Sequence, residues 1–285
     1  MQYKYYSIVI IGICFLSTHA GAQTTQELNE HIAYYNNRIQ AFFDSSRYHN
    51  YFFDSSRSKW TSQPPVRGYD DSLLFENKRL KQYLISTLPN VSGSLTSYVP
   101  AYQENISFYG FGAVTSQDKK FRQWAWDTWM GGTMPTIWQV FEYEISSGVI
   151  KVFDPIDTGI EVVLSNSSYM NIYSVIAKNG NKIYLPVEGW KGDSRTWGEN
   201  IAAFMIRDNT LIFGLKIFEG SVGMESILSY ACETNVSPKN PDPFKIEVRK
   251  NGTILLIPYF TNGNKWKHKL YKFDGEHFIY KGVTK

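Results

Sequence analysis

The sequence predicts a mainly β protein: an antiparallel β-meander of about thirteen strands, layered as a propeller-like array or a sandwich, preceded by an N-terminal helical segment with two helices. Three observations lead there. Two runs before residue 100 repeat their apolar residues at helical spacing; beyond about residue 106 the apolar residues alternate in short runs; and Asn-Gly or Asp-Gly pairs punctuate those runs. The organisation that follows is a leader at 1–22, a helical segment at 23–100 and an antiparallel β domain at 101–285.

Lys4, an apolar run from Tyr6 to Leu16 and the small residues Ala20, Gly21 and Ala22 have the layout of a secretory signal. The run is too short to span a bilayer, and no later segment reaches the roughly 18 apolar residues a spanning helix needs. An exported protein, periplasmic or extracellular, is the expectation. Cys14 leaves with the leader, so Cys232 stands alone and the domain must be held by its core rather than by a disulfide. The formal charge of +3 drops by one with Lys4, which selects no nucleic acid partner. Aromatic residues make up 16% of the chain, a proportion that suits either a binding surface or a tyrosine-rich β core.

Thr24 and Glu27 form a capping-box signature, and Leu28, Ile32, Tyr35, Ile39, Phe42 and Phe43 line one face, which predicts a helix over 25–43. A second helix is expected from Asp71 to Leu88, with Leu73, Leu80, Leu84 and Leu88 on one face and Pro89 as its stop. Between them FFDSSR occurs twice, at Phe42–Arg47 and Phe52–Arg57, and reads as two helix-end turns. The predicted strands are ISFYGFG, FRQWAWD, TIWQVFEYE, GVIKVFD, NIYSVIAK, KIYLPVE, NIAAFMIR, TLIFGLKIF, SILSYAC, FKIEVRK, TILLIPYF, KHKLYKF and EHFIYKG. Asn179-Gly180, Asn251-Gly252 and Asp274-Gly275 fall where tight hairpins need positive φ. Lys265, Lys267 and Lys269 alternate with Trp266, His268 and Leu270, a pattern that reads as a solvated, aggregation-resisting strand face.

The densest run of costly residues is WAWDTWMGGTM, Trp124 to Met134. Arg122, Trp124 and Trp126 share one strand face; Asp127, Thr128, Trp129, Gly131, Gly132 and Thr133 shape the turn; the chain then returns through Trp138. Exposed indoles there would form a platform for sugar rings or other flat ligands, with Asp127 and Thr133 orienting them, whereas buried indoles are core. GWKGDSRTWGEN, Gly189 to Asn200, reads as a Gly-rich loop that adds Trp190 and Trp197 to the same surface.

WDTWMGGTM, with QVFEY, IYSVIAK, KIYLPVE, GENIAAFMIRDN and LYKFDGEHFIYKG, resembles a group of exported bacterial proteins for which no activity is assigned. The resemblance runs from about Ser107 to the C-terminus. It implies an exported bacterial β-domain and carries over no catalytic residue. Under that reading the Asn-X-Ser/Thr sequons are uninformative.

Nucleophile-elbow, zinc-helix, phosphate-loop and EF-hand signatures are missing, and the four histidines beyond the leader are scattered, so neither a cofactor nor a metal is expected. A glycan hydrolase would need two carboxylates about 5 to 9.5 Å apart, drawn from Asp127, Glu142, Glu144, Asp154, Asp157, Glu188 and Asp193. The leading expectation is a non-enzymatic exported domain that binds a carbohydrate or another envelope component through Trp124, Trp126, Asp127 and the Gly131-Gly132 loop, joined by Trp190 and Trp197. A hydrolase and a structural or assembly protein with docking helices are the alternatives. Oligomeric state is not legible.

Overall fold

The computed structural model describes residues 24–54, 59–62, 69–91, 93–96, 111–130, 136–145, 148–155, 167–191, 196–233, 245–261 and 265–284. The proposed leader therefore lies outside the described residues, as do Gly131, Gly132, Thr133, Asp157 and Asp193. Among the described residues no helix is long and apolar enough to cross a membrane.

Helix α1 (Thr25–Asn50) starts at the expected capping box. The Thr24 amide donates to Glu27 Oε2 at 2.8 Å and the Glu27 amide to Thr24 Oγ1 at 3.2 Å, which satisfies two amides that the first turn leaves unpaired. Helix α2 (Tyr69–Thr87) passes into a 3-10 turn, Leu88–Asn90, where Pro89 ends the α-helical bonding, and a second turn follows at Ser94–Thr96. Leu28, Ile32 and Ile39 of α1 and Leu73, Leu80, Leu84 and Leu88 around α2 are buried in one cluster. The repeat behaves differently from the expected pair of helix-end turns. Its first copy continues α1, and Phe52, Phe53 and Asp54 of its second lie in β1 (Tyr51–Asp54), which pairs with β2 (Lys59–Ser62); the rest of the second copy lies outside the described residues. The same Phe-Phe-Asp is thus helical in one place and extended in the other, so local propensity alone does not decide its conformation.

The remaining strands form three sheets. The first holds β3 (Phe111–Thr115), β4 (Phe121–Asp127), β5 (Ile137–Glu144) and β6 (Ile150–Phe153) as an antiparallel meander. In the second, β7 (Ser167–Ile176) pairs with β8 (Lys182–Lys191), and β8 runs beside a strand interrupted at Ala203. That interruption gives β9 (Thr196–Ala202) and β10 (Phe204–Arg207). Each half then carries its own neighbour: β11 (Thr210–Ile212) pairs with β10, and β14 (Ile227–Glu233) pairs with β9. The third sheet is ordered β13-β12-β18-β17-β16-β15, built from β12 (Phe218–Glu219), β13 (Met224–Glu225), β15 (Glu247–Arg249), β16 (Ile254–Phe260), β17 (Trp266–Phe273) and β18 (Phe278–Val283). Only the β12–β18 contact is parallel among the described pairings.

The mainly antiparallel β fold is as the sequence predicts, and its layering is sandwich-like. One face of the first sheet packs on the two helices through Ala113, Trp124, Trp126 and Val140. Its other face meets the second sheet through Phe121, Phe141, Tyr169, Tyr184 and Phe204. The far side of the second sheet then shares Leu185, Val187, Ile201 and Tyr230 with Leu255, Ile257, Tyr271 and Phe278 of the third. All seven residues of β4 are consequently buried, a pattern expected of a strand covered on both faces.

The anticipated hairpin glycines adopt positive φ: Gly180 at 81°, Gly252 at 86° and Gly275 at 104°. At Gly252 an added Cβ would sit 2.6 Å from the Ser174 carbonyl oxygen, because the β15–β16 turn rests on β7; Gly180 has open space. Gly180→Ala is expected to cost about 1–2 kcal/mol from φ alone, and Gly252→Ala clearly more, read as a larger drop in urea midpoint.

Candidate functional site

The hairpin β4–β5 divides the predicted site residues between two faces. On the helix side, register places Arg122 opposite Glu142, Trp124 opposite Val140 and Trp126 opposite Trp138. Trp124 is 0% and Trp126 1% exposed, so of the two outcomes the sequence left open, platform or core, these two indoles take the core under the helices. The reason is geometric: a strand face that would otherwise meet water is roofed by the apolar stripe of α1 and α2.

Burying indoles requires partners for their N–H groups, and the chain supplies them. Trp126 Nε1 donates to Asn77 Oδ1 at 2.9 Å, while Asn77 Nδ2 donates to the Leu73 carbonyl at 2.8 Å and the Thr128 carbonyl at 3.0 Å. One amide thus ties α2 to the start of the turn. Trp124 Nε1 donates to Glu142 Oε2 at 2.9 Å, and the Ser94 hydroxyl donates to Glu142 Oε1. Arg122 completes the knot by donating to the carbonyls of Ser94 at 2.5 Å and Leu95 at 3.1 Å and to Thr115 Oγ1 at 2.6 Å, with its guanidinium 5.1 Å from the Trp124 ring. Burial disfavours the charged form of both Glu142 and Arg122.

On the opposite face Gln123 Nε2 donates to Gln139 Oε1 at 2.5 Å, and Gln123 Oε1 accepts the Tyr169 amide at 2.7 Å, which joins the first sheet to the second. Asp127 ends this row, 3% exposed. Its carboxylate accepts the Trp129 amide at 2.8 Å, and burial pushes its pKa up to about 6 against backbone hydrogen bonds from Trp129 and Thr136 that hold it down. Thr128 donates through both its amide and its hydroxyl to the Thr136 carbonyl, each at 2.9 Å. Trp129, half-buried against the helix cluster, carries φ of 58°, a conformation that non-glycine residues seldom adopt. Asp127 and Thr128 therefore shape the turn.

A second constellation lies on β8 and β9. The expected Gly189–Asn200 loop is instead mostly strand, since β8 runs to Lys191 and β9 starts at Thr196. Alternation along a pleated pair had been masked in the sequence by Gly189 and Gly198. Trp190 pairs with Gly198 and Glu188 with Asn200, so all four lie on one face. The Trp190 indole lies across Gly198, where an added Cβ would strike the Tyr230 carbonyl oxygen first and come 2.6 Å from Trp190 Cζ2. Its Nε1 donates to Asn200 Oδ1 at 3.2 Å, and Asn200 Nδ2 donates to Glu188 Oε1 at 3.2 Å. Glu188 is wholly buried, whereas Trp190 is half-buried and Ser229 and Ala231 on adjoining β14 are exposed. Trp197 projects from the other face, edge-on to Tyr230 at 6.2 Å, so it does not join Trp190.

Several of the pool's described carboxylates have their own partners. Glu142 is held in the knot, Asp154 pairs with Lys81 of α2, Glu144 sits 3.6 Å from Lys120, and Asp127 and Glu188 occupy facing sheets. No group of three or more His, Cys, Asp or Glu side chains with metal-binding geometry occurs among the described residues.

Sequence reasoning missed Asn77, Gln123, Gln139, Asn200 and Gly198. Asn77 had a signal: it follows Leu73 by four residues, placing an amide on the otherwise apolar stripe of α2. Comparison with family models, with curated proteins and with solved structures finds no match to this chain.

Proposed function

We propose that this chain is an exported, non-catalytic binding domain that receives a carbohydrate ring, free or part of an envelope component, on the indole of Trp190. One observation carries the reading. Trp190 is fixed before any ligand arrives, laid over a residue without a side chain and pinned through its N–H by Asn200, which Glu188 holds from beneath. An aromatic face ordered in advance loses little rotamer freedom on binding, and the small exposed side chains of Ser229 and Ala231 leave room beside it. Export is supported by the leader-like residues 1–22. N-terminal sequencing of exported protein should begin at Gln23.

A glycan array followed by calorimetric titration tests the binding reading. Trp190→Ala is expected to weaken the glycan at least about tenfold while the melting temperature holds, since the indole lies at the rim. A wild-type protein that binds no glycan, or a variant that binds equally well, overturns the assignment.

A further inference from the structure

We propose that the solvent-facing side of the α1–α2 pair, centred on Arg79, docks an acidic peptide segment of a partner protein. The inward stripes of the two helices are used up on each other and on the first sheet, through Leu28, Ile32, Leu80 and Leu84. The outward side carries rings and guanidinium groups. Tyr34 is 50% and Phe75 58% exposed. Single exposed rings need no explanation, but these two belong to one connected surface.

A spacing of four residues sets Arg38 beside Tyr34 on α1 and Arg79 beside Phe75 on α2. The Arg38 guanidinium lies 5.7 Å from the centre of the Tyr34 ring. That of Arg79 lies 5.6 Å from the Phe75 ring and 5.6 Å from the Tyr35 ring, so it joins the two helices. Tyr35 in turn stands 5.4 Å from Tyr34 and 5.7 Å from Tyr83, which carries the aromatic surface across both. Glu76, 2% exposed, is the acid beneath them. Its Oε1 accepts Arg38 Nη2 at 2.7 Å, whereas Arg79 Nη1 stands 3.7 Å from the same oxygen, too far for a hydrogen bond. Arg79, its side chain 40% exposed, is therefore held against two rings with its charge only loosely matched. Exposed Lys78 adds a further positive charge next to it. The acids Glu30 and Asp71 each lie eight positions, about 12 Å along the axis, from the arginine on their own helix, and Glu30 accepts Gln26 Nε2 at 2.9 Å.

A carboxylate brought from outside would take up the outward donors of Arg79, and apolar side chains on either side of it would cover Phe75 and Tyr34. Aromatic residues and arginine side by side are the composition of interface cores, where tyrosine and arginine carry much of the binding energy. A small ligand needs a concavity that encloses most of its surface, and these rings stand outward from two helices. A nucleic acid needs rows of cations to displace its counterions, which one loosely matched arginine and one lysine do not supply. The surface is independent of Trp190, which belongs to the second sheet.

The test selects peptides from a random phage-displayed dodecapeptide library on the immobilised mature protein. The affinity of labelled synthetic copies is then measured by fluorescence anisotropy. Expected are peptides that place Asp or Glu next to aromatic or aliphatic residues, binding that weakens with added salt, and a loss of about tenfold or more in F75S/R79S at unchanged melting temperature. W190A should bind these peptides as the wild type does. Selection of basic or uncharged peptides, selection of none, or full affinity in F75S/R79S each overturns the proposal.

Discussion

Replacing Glu142 by Ala is expected to destabilise the protein by about 3–5 kcal/mol, the largest effect of any single substitution considered, because three buried partners lose their acceptor or counter-charge together. The Trp124 indole N–H and the Ser94 hydroxyl would both be left without the oxygen they now donate to. Arg122, 3% exposed, would remain charged without a neighbouring carboxylate. A urea titration of Glu142→Ala against Glu144→Ala measures the difference. Glu144 sits two positions along the same strand with a side chain 31% exposed and a long contact to Lys120, so its removal should change stability by under about 0.5 kcal/mol. Equal midpoints for the two variants would show that the knot does not hold the Ser94–Thr96 turn against the sheet.

The second large effect is a stability that declines as pH rises from about 4 to about 7. Burial raises Asp127 from 3.8 to about 6 and Glu199 from 4.5 to about 7, the latter against the Ile246 amide that donates to it at 2.5 Å. A carboxyl raised in the folded state holds its proton there while the unfolded chain has already lost it. Its contribution is therefore complete below the unfolded value and vanishes as pH climbs through the folded one. The two groups together contribute on the order of a few kcal/mol across the window. Asp118 and Asp274 act oppositely, but their values are lowered, so their contributions fade only at the acid end of the range. The urea midpoint should be higher at pH 4.5 than at pH 7.5, pH values chosen to bracket the window of about 4 to 7. Glu199→Gln should flatten the dependence and stabilise the neutral form, and Asp127→Asn should do the same in part. A midpoint that does not move between the two pH values would show that neither carboxyl is raised. Asp127→Asn has a second use, because loss of a glycan turnover shown by the wild type, with the fold intact, would favour the hydrolase reading.

Much of the architecture was legible because its determinants are local. The α1 cap, the leucines of α2, the three turn glycines and most strands from Phe121 onward follow from spacing and turn chemistry alone. What escaped depends on long-range packing. Period two assigns Trp124 and Trp126 to one face of β4, yet nothing in a strand's own residues says whether a helix or water covers that face. The same ignorance applied to Gly189–Asn200, where glycines mimic a loop although Gly198 is small because the Tyr230 carbonyl and the Trp190 indole leave no room for a Cβ. Two copies of Phe-Phe-Asp, helical at 42–44 and extended at 52–54, make the limit plain, as identical local residues produced different outcomes.

The order of layers, helices against the first sheet, first against second and second against third, has a consequence for how the molecule comes apart. Each apolar cluster is shared by adjacent layers, so the arrangement resembles a linear series more than a single ball. Opening at the helical end exposes the tryptophan face while leaving two sheet–sheet contacts standing; opening at the far sheet leaves the helices seated. Cooperativity in such a series is carried by the layers that belong to two clusters at once. In this chain those are the first two sheets, and the strand buried throughout its length, β4, is the place where loss of one neighbour is felt by the next.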